Sequence, residues 1–158
     1  MSHAFSADIE TIRRMPTVEA MLAEVCEITG MGFAAIARVT ADRWIACQVL
    51  DRIGFGLDPG DELELKTTIC DEIRASGNAV FIDHVGSDPN WRTHHTPALY
   101  GFESYVSVPI VRADGDFFGT LCAIDPAPRT RSLAQAMPRL ERFAAEIAGE
   151  IDRVDRRV

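Results

Sequence analysis

The stretch Ser104–Asp125, SYVSVPIVRADGDFFGTLCAID, decides how the chain folds. Asp114-Gly115 is a strong hairpin-turn pair, flanked by β-branched and aromatic residues, so the stretch predicts two antiparallel strands, Ser104–Val111 and Phe117–Asp125. In the first arm Ser104, Val106, Val108 and Ile110 share one face, and Tyr105, Ser107 and Val111 share the other. Apolar groups on both faces imply a sheet covered on both sides over part of its area. In the second arm Gly119 lets another backbone approach a central strand, and Asp125 with the prolines after it ends the strand.

Working outward, a second hairpin joins Phe33–Thr40 to Arg43–Leu50 through Ala41-Asp42, with Ile36, Val39, Trp44, Ile45 and Val49 as good strand formers. Before it, Val18, Met21, Leu22, Val25 and Ile28 recur at helical spacing between Pro16-Thr17 and Gly30, with a shorter helical piece from Asp8 to Arg14. Between the hairpins Arg52–Glu62 is rich in Gly and Asp and reads as loop. Thr68 then caps a helix carrying Ile69, Cys70 and Ile73, with Asp71 in a capping-box position and Gly77-Asn78 as the stop. A short strand at Ala79–Ile82, a polar loop from Asp83 to Thr96 and a helical turn at Pro97–Tyr100 complete the crossover. The chain closes with a helix whose Leu140, Phe143, Ile147, Ile151 and Val154 form a near-heptad seam. The sum is an α+β fold: an antiparallel sheet of about five strands, N- and C-terminal helices on one face, a crossover helix and loops on the other. The seam runs past where a small sheet can cover it, which predicts a homodimer through the terminal helices.

The 158 residues fit one domain, which usually takes about 100–200. A net charge of −8, with Lys66 the lone lysine and no basic cluster interleaved with aromatics, speaks against a nucleic-acid partner. Acids interrupt MSHAFSADIETIRRMP where a signal peptide needs an apolar core, and no run approaches the ~18 apolar residues of a span, so no membrane role is expected. Cys26, Cys47, Cys70 and Cys122 lie far apart without a CxxC pair, the pattern of a reduced, cytoplasmic chain.

From about Thr17 to Ala148 the chain resembles the GAF domain, a small-molecule sensor module of bacterial signalling proteins. The likeness is carried by TTICDEIRASGNAVFIDHVGSDPNW, by YGFESYVSVPIVRADGDFFGTLCAIDPAPR and by the closing helix. Gly119-Thr-Leu-Cys-Ala-Ile-Asp125 followed by Pro128-Arg129 looks like the last strand of GAF domains attached to histidine kinases and cyclase-type outputs. The resemblance divides the chain into a helical extension at 1–16, a GAF domain at 17–148 and the start of a signalling or dimer helix at 149–158. It implies a pocket between the sheet and the crossover, roofed by Asp83–Tyr100, with a floor of Tyr105 and one face of Phe117–Ile124. The loop Gly86–Thr96 is then the natural moving part. Bilin-binding relatives attach pigment through a cysteine, but the corresponding Arg92-Thr93-His94-His95 has none, which excludes attachment there. The Asn-Lys…Phe…Asp-Glu signature of cyclic-nucleotide relatives is absent. Free-methionine-sulfoxide reductases, which share the fold, carry a cysteine loop where this chain has WRTHH. The cofactor stays unknown.

The ligand-binding candidates are Asp83, Trp91, His94, His95, Tyr100 and Tyr105. His84, His94 and His95 offer imidazoles for haem or a transition metal, although adjacent histidines point apart on most backbones. Trp91 and Tyr100 are suited to stack on a planar ligand or to pin the loop to the core. Asp83 accepts hydrogen bonds from a ligand or caps the next turn, the cap being favoured. Cys70 lies in a first helical turn, yet Asp71 and Glu72 oppose thiolate formation, and Cys122 reads as strand core, so both thiols are assigned to packing. No Gly-x-Ser-x-Gly, His-Glu-x-x-His or Gly-Lys-Ser/Thr pattern is present, and catalysis is not expected. The reading is a sensory domain of a two-component or cyclase-type protein. The alternatives are a small sulfoxide reductase, which needs two cysteines close enough to bridge, or a ligand-free dimerisation module.

Overall fold

Both hairpins form where their turn residues put them. In the computed structural model, which describes residues 3–64, 68–89, 91, 93–94, 96, 100–128 and 133–155, the strands run Phe33–Val39 (β1), Trp44–Asp51 (β2), Glu62–Leu63 (β3), Val80–Ile82 (β4), Ser104–Val111 (β5) and Phe117–Asp125 (β6). The helices are His3–Arg13 (α1), Pro16–Thr29 (α2), Ile69–Ser76 (α3) and Met137–Asp155 (α4). The strands form one antiparallel sheet in the order β3-β2-β1-β6-β5-β4.

Six strands replace the expected five because the loop after β2 folds back on it. Ala46 N donates to Asp61 O and Gly60 N to Ala46 O, so backbone groups that would have lined an open edge are paired, and Trp44 and Ile45 gain Leu63 and Glu62 as partners. Gly119 does what its position predicts. A Cβ there would lie 1.7 Å from the Ala37 carbonyl oxygen, so β1 and β6 approach at a distance only glycine allows. Gly77, at φ 75°, ends α3 with its N–H on Ile73 O. Thr68 has the extended backbone of an N-cap, but its side chain makes no capping bond. The proposed turn at Pro97–Tyr100 falls largely on residues outside those described, although Thr96 and Tyr100 are helical.

Two cores flank the sheet. On the helix side Val18, Leu22 and Val25 of α2 and Leu140, Ile147 and Ile151 of α4 pack on Ile36, Val106 and Leu121. Ile12 of α1 is fully buried in the same core, which joins the first helix to the rest. On the other side α3 and the loops cover Phe33, Ala35, Trp44, Tyr105, Cys122 and Ile124. Two bulges set which residues face where. Val111 pairs with Phe117 while Ile110 pairs with Gly119, so Phe118 is an extra residue. It turns to the helix side, and Phe117 packs on the other. Cys47 occupies the same kind of position in β2 and also joins the helix-side core.

The closing seam is buried as far as Ile151, and its last member, Val154, is half-buried. Ile151 is 3% exposed, and one turn of α4 is tied down beside it: Asp152 accepts from Arg112 Nε at 2.8 Å and from the Ala113 N–H at 3.0 Å. The β5–β6 turn reaches under the helix, so the buried stripe is no argument for a partner chain.

Candidate functional site

A cavity of about 50 Å³ lies between the sheet and α3. Its floor is Tyr105 of β5, Cys122 and Ile124 of β6, and Trp44 of β2; Ile69 and Cys70 of α3 close one side. Alanines 35 and 37 on the same face of β1 leave room for α3 to come down onto the sheet. Over the top come Phe55, Leu57 and Leu63 from the segment after β2, with Thr96 and Tyr100 from the crossover. Asp51 fixes that first segment: its carboxylate accepts from the N–H groups of Ile53, Phe55 and Gly56. Burial pushes its carboxyl upward, but the backbone N–H groups from Ile53 to Gly56 together hold it below the usual range. The bonds set Phe55 5.0 Å from the ring of Phe33 and 6.1 Å from Tyr100.

The cavity wall is apolar except for a small set of hydrogen-bonding groups. Trp44 is 3% exposed, and its indole Nε1 has no acceptor in hydrogen-bonding geometry, although it lies near enough to Cys70 to stabilise that thiolate. Cys70 Sγ lies 3.1 Å from Thr120 Oγ1 and 3.7 Å from the Tyr105 hydroxyl. The Cys122 thiol first, then the Thr120, Trp44 and Tyr105 groups, stabilise the Cys70 thiolate enough to outweigh burial, and its pKa falls to about 6. Cys122, sharing that interaction from the protonated side, is pushed well above the ordinary thiol value, and Tyr105 is raised by burial and by the two thiols. Of the two acids expected to oppose the Cys70 thiolate, Glu72 is bonded to His94, and the Asp71 side chain lies outside those described.

Of the sequence candidates, Tyr100 and Tyr105 line the cavity. Asp83 does not: its Oδ1 accepts from the Leu133 N–H at 2.6 Å, tying the 3₁₀ turn Leu133–Gln135 to the end of β4. His94 Nδ1 accepts from the Thr96 N–H and Nε2 meets Glu72 at 2.9 Å, so both ring nitrogens are engaged, and the Trp91 ring packs against it, tilted by 48° at 4.8 Å. These two pin the crossover to α3. His84 lies elsewhere, 3.5 Å from Glu103, and no set of three metal-ligating side chains occurs among the described residues. His95 lies outside the described residues. Of the expected roof Asp83–Tyr100 only Thr96 and Tyr100 line the cavity among the described residues, beside Phe55 and Leu57; of the expected floor Tyr105, Cys122 and Ile124 line it, and the bulge at Phe118 breaks the alternation of Phe117–Ile124. Trp44 and Thr120 were not among the candidates, and Cys70 and Cys122 were assigned to packing. Their signal is weak: each sits beside apolar residues on an inward face.

A six-stranded antiparallel sheet with helices on one side and a partly open, aromatic-lined cavity on the other defines an α+β domain. The chain belongs to the GAF domain family, whose model matches residues 16–151. No curated protein matches it. Solved structures do. The chromophore-binding domain of an unusual bacteriophytochrome from R. palustris aligns with TM-score 0.71 at 18% identity, over 98% of this chain and 63% of that one. The free methionine-R-sulfoxide reductase of Neisseria meningitidis, solved with its substrate, gives 0.67 at 16%, over 95% and 83%. The GAF domain of a two-component sensor histidine kinase from Bacillus halodurans gives 0.64 at 13%, over 89% and 95%. At these identities the likeness is one of fold. Among the described residues no helix is long and apolar enough to cross a membrane.

Proposed function

We propose that the chain is a cytoplasmic sensory domain of a histidine-kinase or cyclase-type signalling protein, without catalysis of its own, whose cavity takes a small ligand bearing one hydrogen-bond acceptor. The Trp44 indole N–H, which has no acceptor in hydrogen-bonding geometry and only the Cys70 thiolate to interact with, carries this reading. It is a buried donor in an apolar cavity, and leaving it unmet costs about 1–3 kcal/mol. A cavity of about 50 Å³ has room for roughly three to five water-sized spheres at 10–15 Å³ each. A larger ligand extends into the open side of the cavity or displaces Phe55, Leu57 and Tyr100. A ligand that favours one arrangement of these residues over another biases the two states, which is the thermodynamic requirement for a signal.

Native mass spectrometry of the freshly purified protein, with an absorption spectrum of the same sample, tests the reading. Excess mass that is lost in Trp44→Phe, or a metabolite whose thermal shift vanishes in that variant, is the expected outcome. A clean polypeptide mass with no thermal shift across a metabolite screen leaves the ligand-free dimerisation module instead. One observation favours a reductase as the second reading: Cys70 and Cys122 share the cavity. Turnover of free methionine-R-sulfoxide that disappears in Cys70→Ser would establish it.

A further inference from the structure

We infer that Cys70 and Cys122 form a hydroperoxide-responsive thiol pair that closes reversibly into a disulfide between α3 and β6. The inference stands on the thiols alone and holds whether or not the cavity takes another ligand. The four cysteines divide sharply. Cys26 and Cys47 sit in the helix-side core, where burial raises both, Cys47 to about 12. Cys70 and Cys122 line the same cavity from different elements, and Cys70 Sγ lies 3.1 Å from the hydroxyl of Thr120, two residues before Cys122 on β6. A cavity with room for several water-sized spheres admits hydrogen peroxide or a small alkyl hydroperoxide.

The surroundings fit the reaction. Cys70 thiolate attacks one peroxide oxygen; an S–O bond forms, the O–O bond breaks, and the peroxide takes up two electrons. The departing alkoxide or hydroxide needs donors, and the Thr120 and Tyr105 hydroxyls stand 3.1 and 3.7 Å from the sulfur. Proton uptake completes an alcohol or water and leaves Cys70 as a sulfenic acid. Cys122 then attacks that sulfur, giving up its proton to the leaving hydroxide, so S–S forms, S–O breaks and water departs. Two thiols and one hydroperoxide become one disulfide, one alcohol or water, and a further water. Exchange with a dithiol reductant restores the pair.

The titratable groups facing Cys70 are Cys122 and Tyr105, both protonated at neutral pH. A thiol of pKa about 6 loses only about tenfold of its thiolate between pH 7 and pH 5, where an ordinary thiol near 8.5 loses about a hundredfold. The shallower profile is the diagnostic readout. At pH 7 the gain in thiolate, about thirtyfold, is mostly cancelled by the lower nucleophilicity of an acidic thiol, leaving about two- to threefold.

The test oxidises the reduced full-length protein with hydrogen peroxide, blocks the remaining thiols and maps the peptides. The expected result is a Cys70–Cys122 cross-linked peptide, with Cys26 and Cys47 recovered as blocked thiols and the tenfold pH profile. Cys122→Ser should stop at a Cys70 sulfenic acid trapped by dimedone, and Cys70→Ser should give no cross-link; the wild-type map stands without either variant. Equal recovery of all four thiols overturns the inference, as does oxidation of Cys70 beyond sulfenic acid without a cross-link. Closure by free methionine-R-sulfoxide as fast as by peroxide overturns the substrate class. A ligand signal lost in Trp44→Phe, beside unreactive thiols, would sink this inference and leave the sensory reading intact.

Discussion

The two faces of the sheet are built for different work. The helix side is aliphatic, with Ile36, Leu121, Leu140 and Ile147 fully or almost fully buried, and its rim is clasped by charge. Arg38 pairs with Asp8 of α1 at 3.1 Å and donates to the Phe118 carbonyl at 2.6 Å; Arg112 pairs with Asp152 of α4. The cavity side is covered by one eight-residue helix and long loops, and its wall mixes aromatic rings with thiols, a hydroxyl and an unmet indole. Stability concentrated on one face frees the other to hold strained or reactive groups, the division expected where local stability varies across a fold.

Several substitutions break or sharpen this contrast, beginning with the one that strikes the shared wall. Gly119→Ala pushes a methyl into the Ala37 carbonyl and should cost about 3–4 kcal/mol or prevent folding, read as lost soluble yield or a large fall in Tm. Adjacent residues then compare the faces directly. Leu121→Ala, on the helix side, should cost about 2–5 kcal/mol in urea unfolding, while Cys122→Ala, on the cavity side, should cost about 1 kcal/mol or less. Equal losses would erase the distinction between the two cores. Asp152→Asn weakens the tie between α4 and the β5–β6 turn by about 1–2 kcal/mol, and hydrogen exchange should quicken at Ala113 first.

The smallest effect comes from Asp51. Its carboxyl is held below the unfolded value, so the stability it supplies is present above about pH 4 and is lost as pH falls through the lowered native value. The group is only partly buried, so screening keeps that contribution below about 1 kcal/mol. Asp51→Asn should therefore barely move Tm, yet raise amide exchange at Phe55 and Gly56. An unchanged exchange rate would mean that the roof is held by its rings alone.

The sheet was legible because its signals are local. Asp114-Gly115 and the alternation around it mark β5 and β6, and the stripe from Val18 to Val25 marks α2. The two-residue β3 was not, since its pairing depends on where the Gly60 loop lands on β2. The cavity was half legible. Tyr100 and Tyr105 came through the family resemblance, and Asp83, favoured as a cap, does bond a backbone N–H, although that of Leu133, far along the chain. Trp91 and His94 anchor each other instead of facing the cavity, because an imidazole bonded at both nitrogens has no free valence to offer. Trp44, Cys70, Thr120 and Cys122 meet from β2, α3 and β6, and no pattern in one stretch encodes a meeting of three. The bulge at Phe118 hid the floor further by reversing which residues alternate inward.

Leu121 and Cys122 are neighbours in one strand, yet their side chains end in opposite cores. The partition between reactive chamber and helical bundle is therefore a diaphragm a single chain thick. Any strain that draws Cys122 toward α3 pulls on the peptide that seats Leu121 against the helices, without a hinge or a travelling loop between. Distance, usually the difficulty in carrying a message through a protein, is here reduced to the length of one amide.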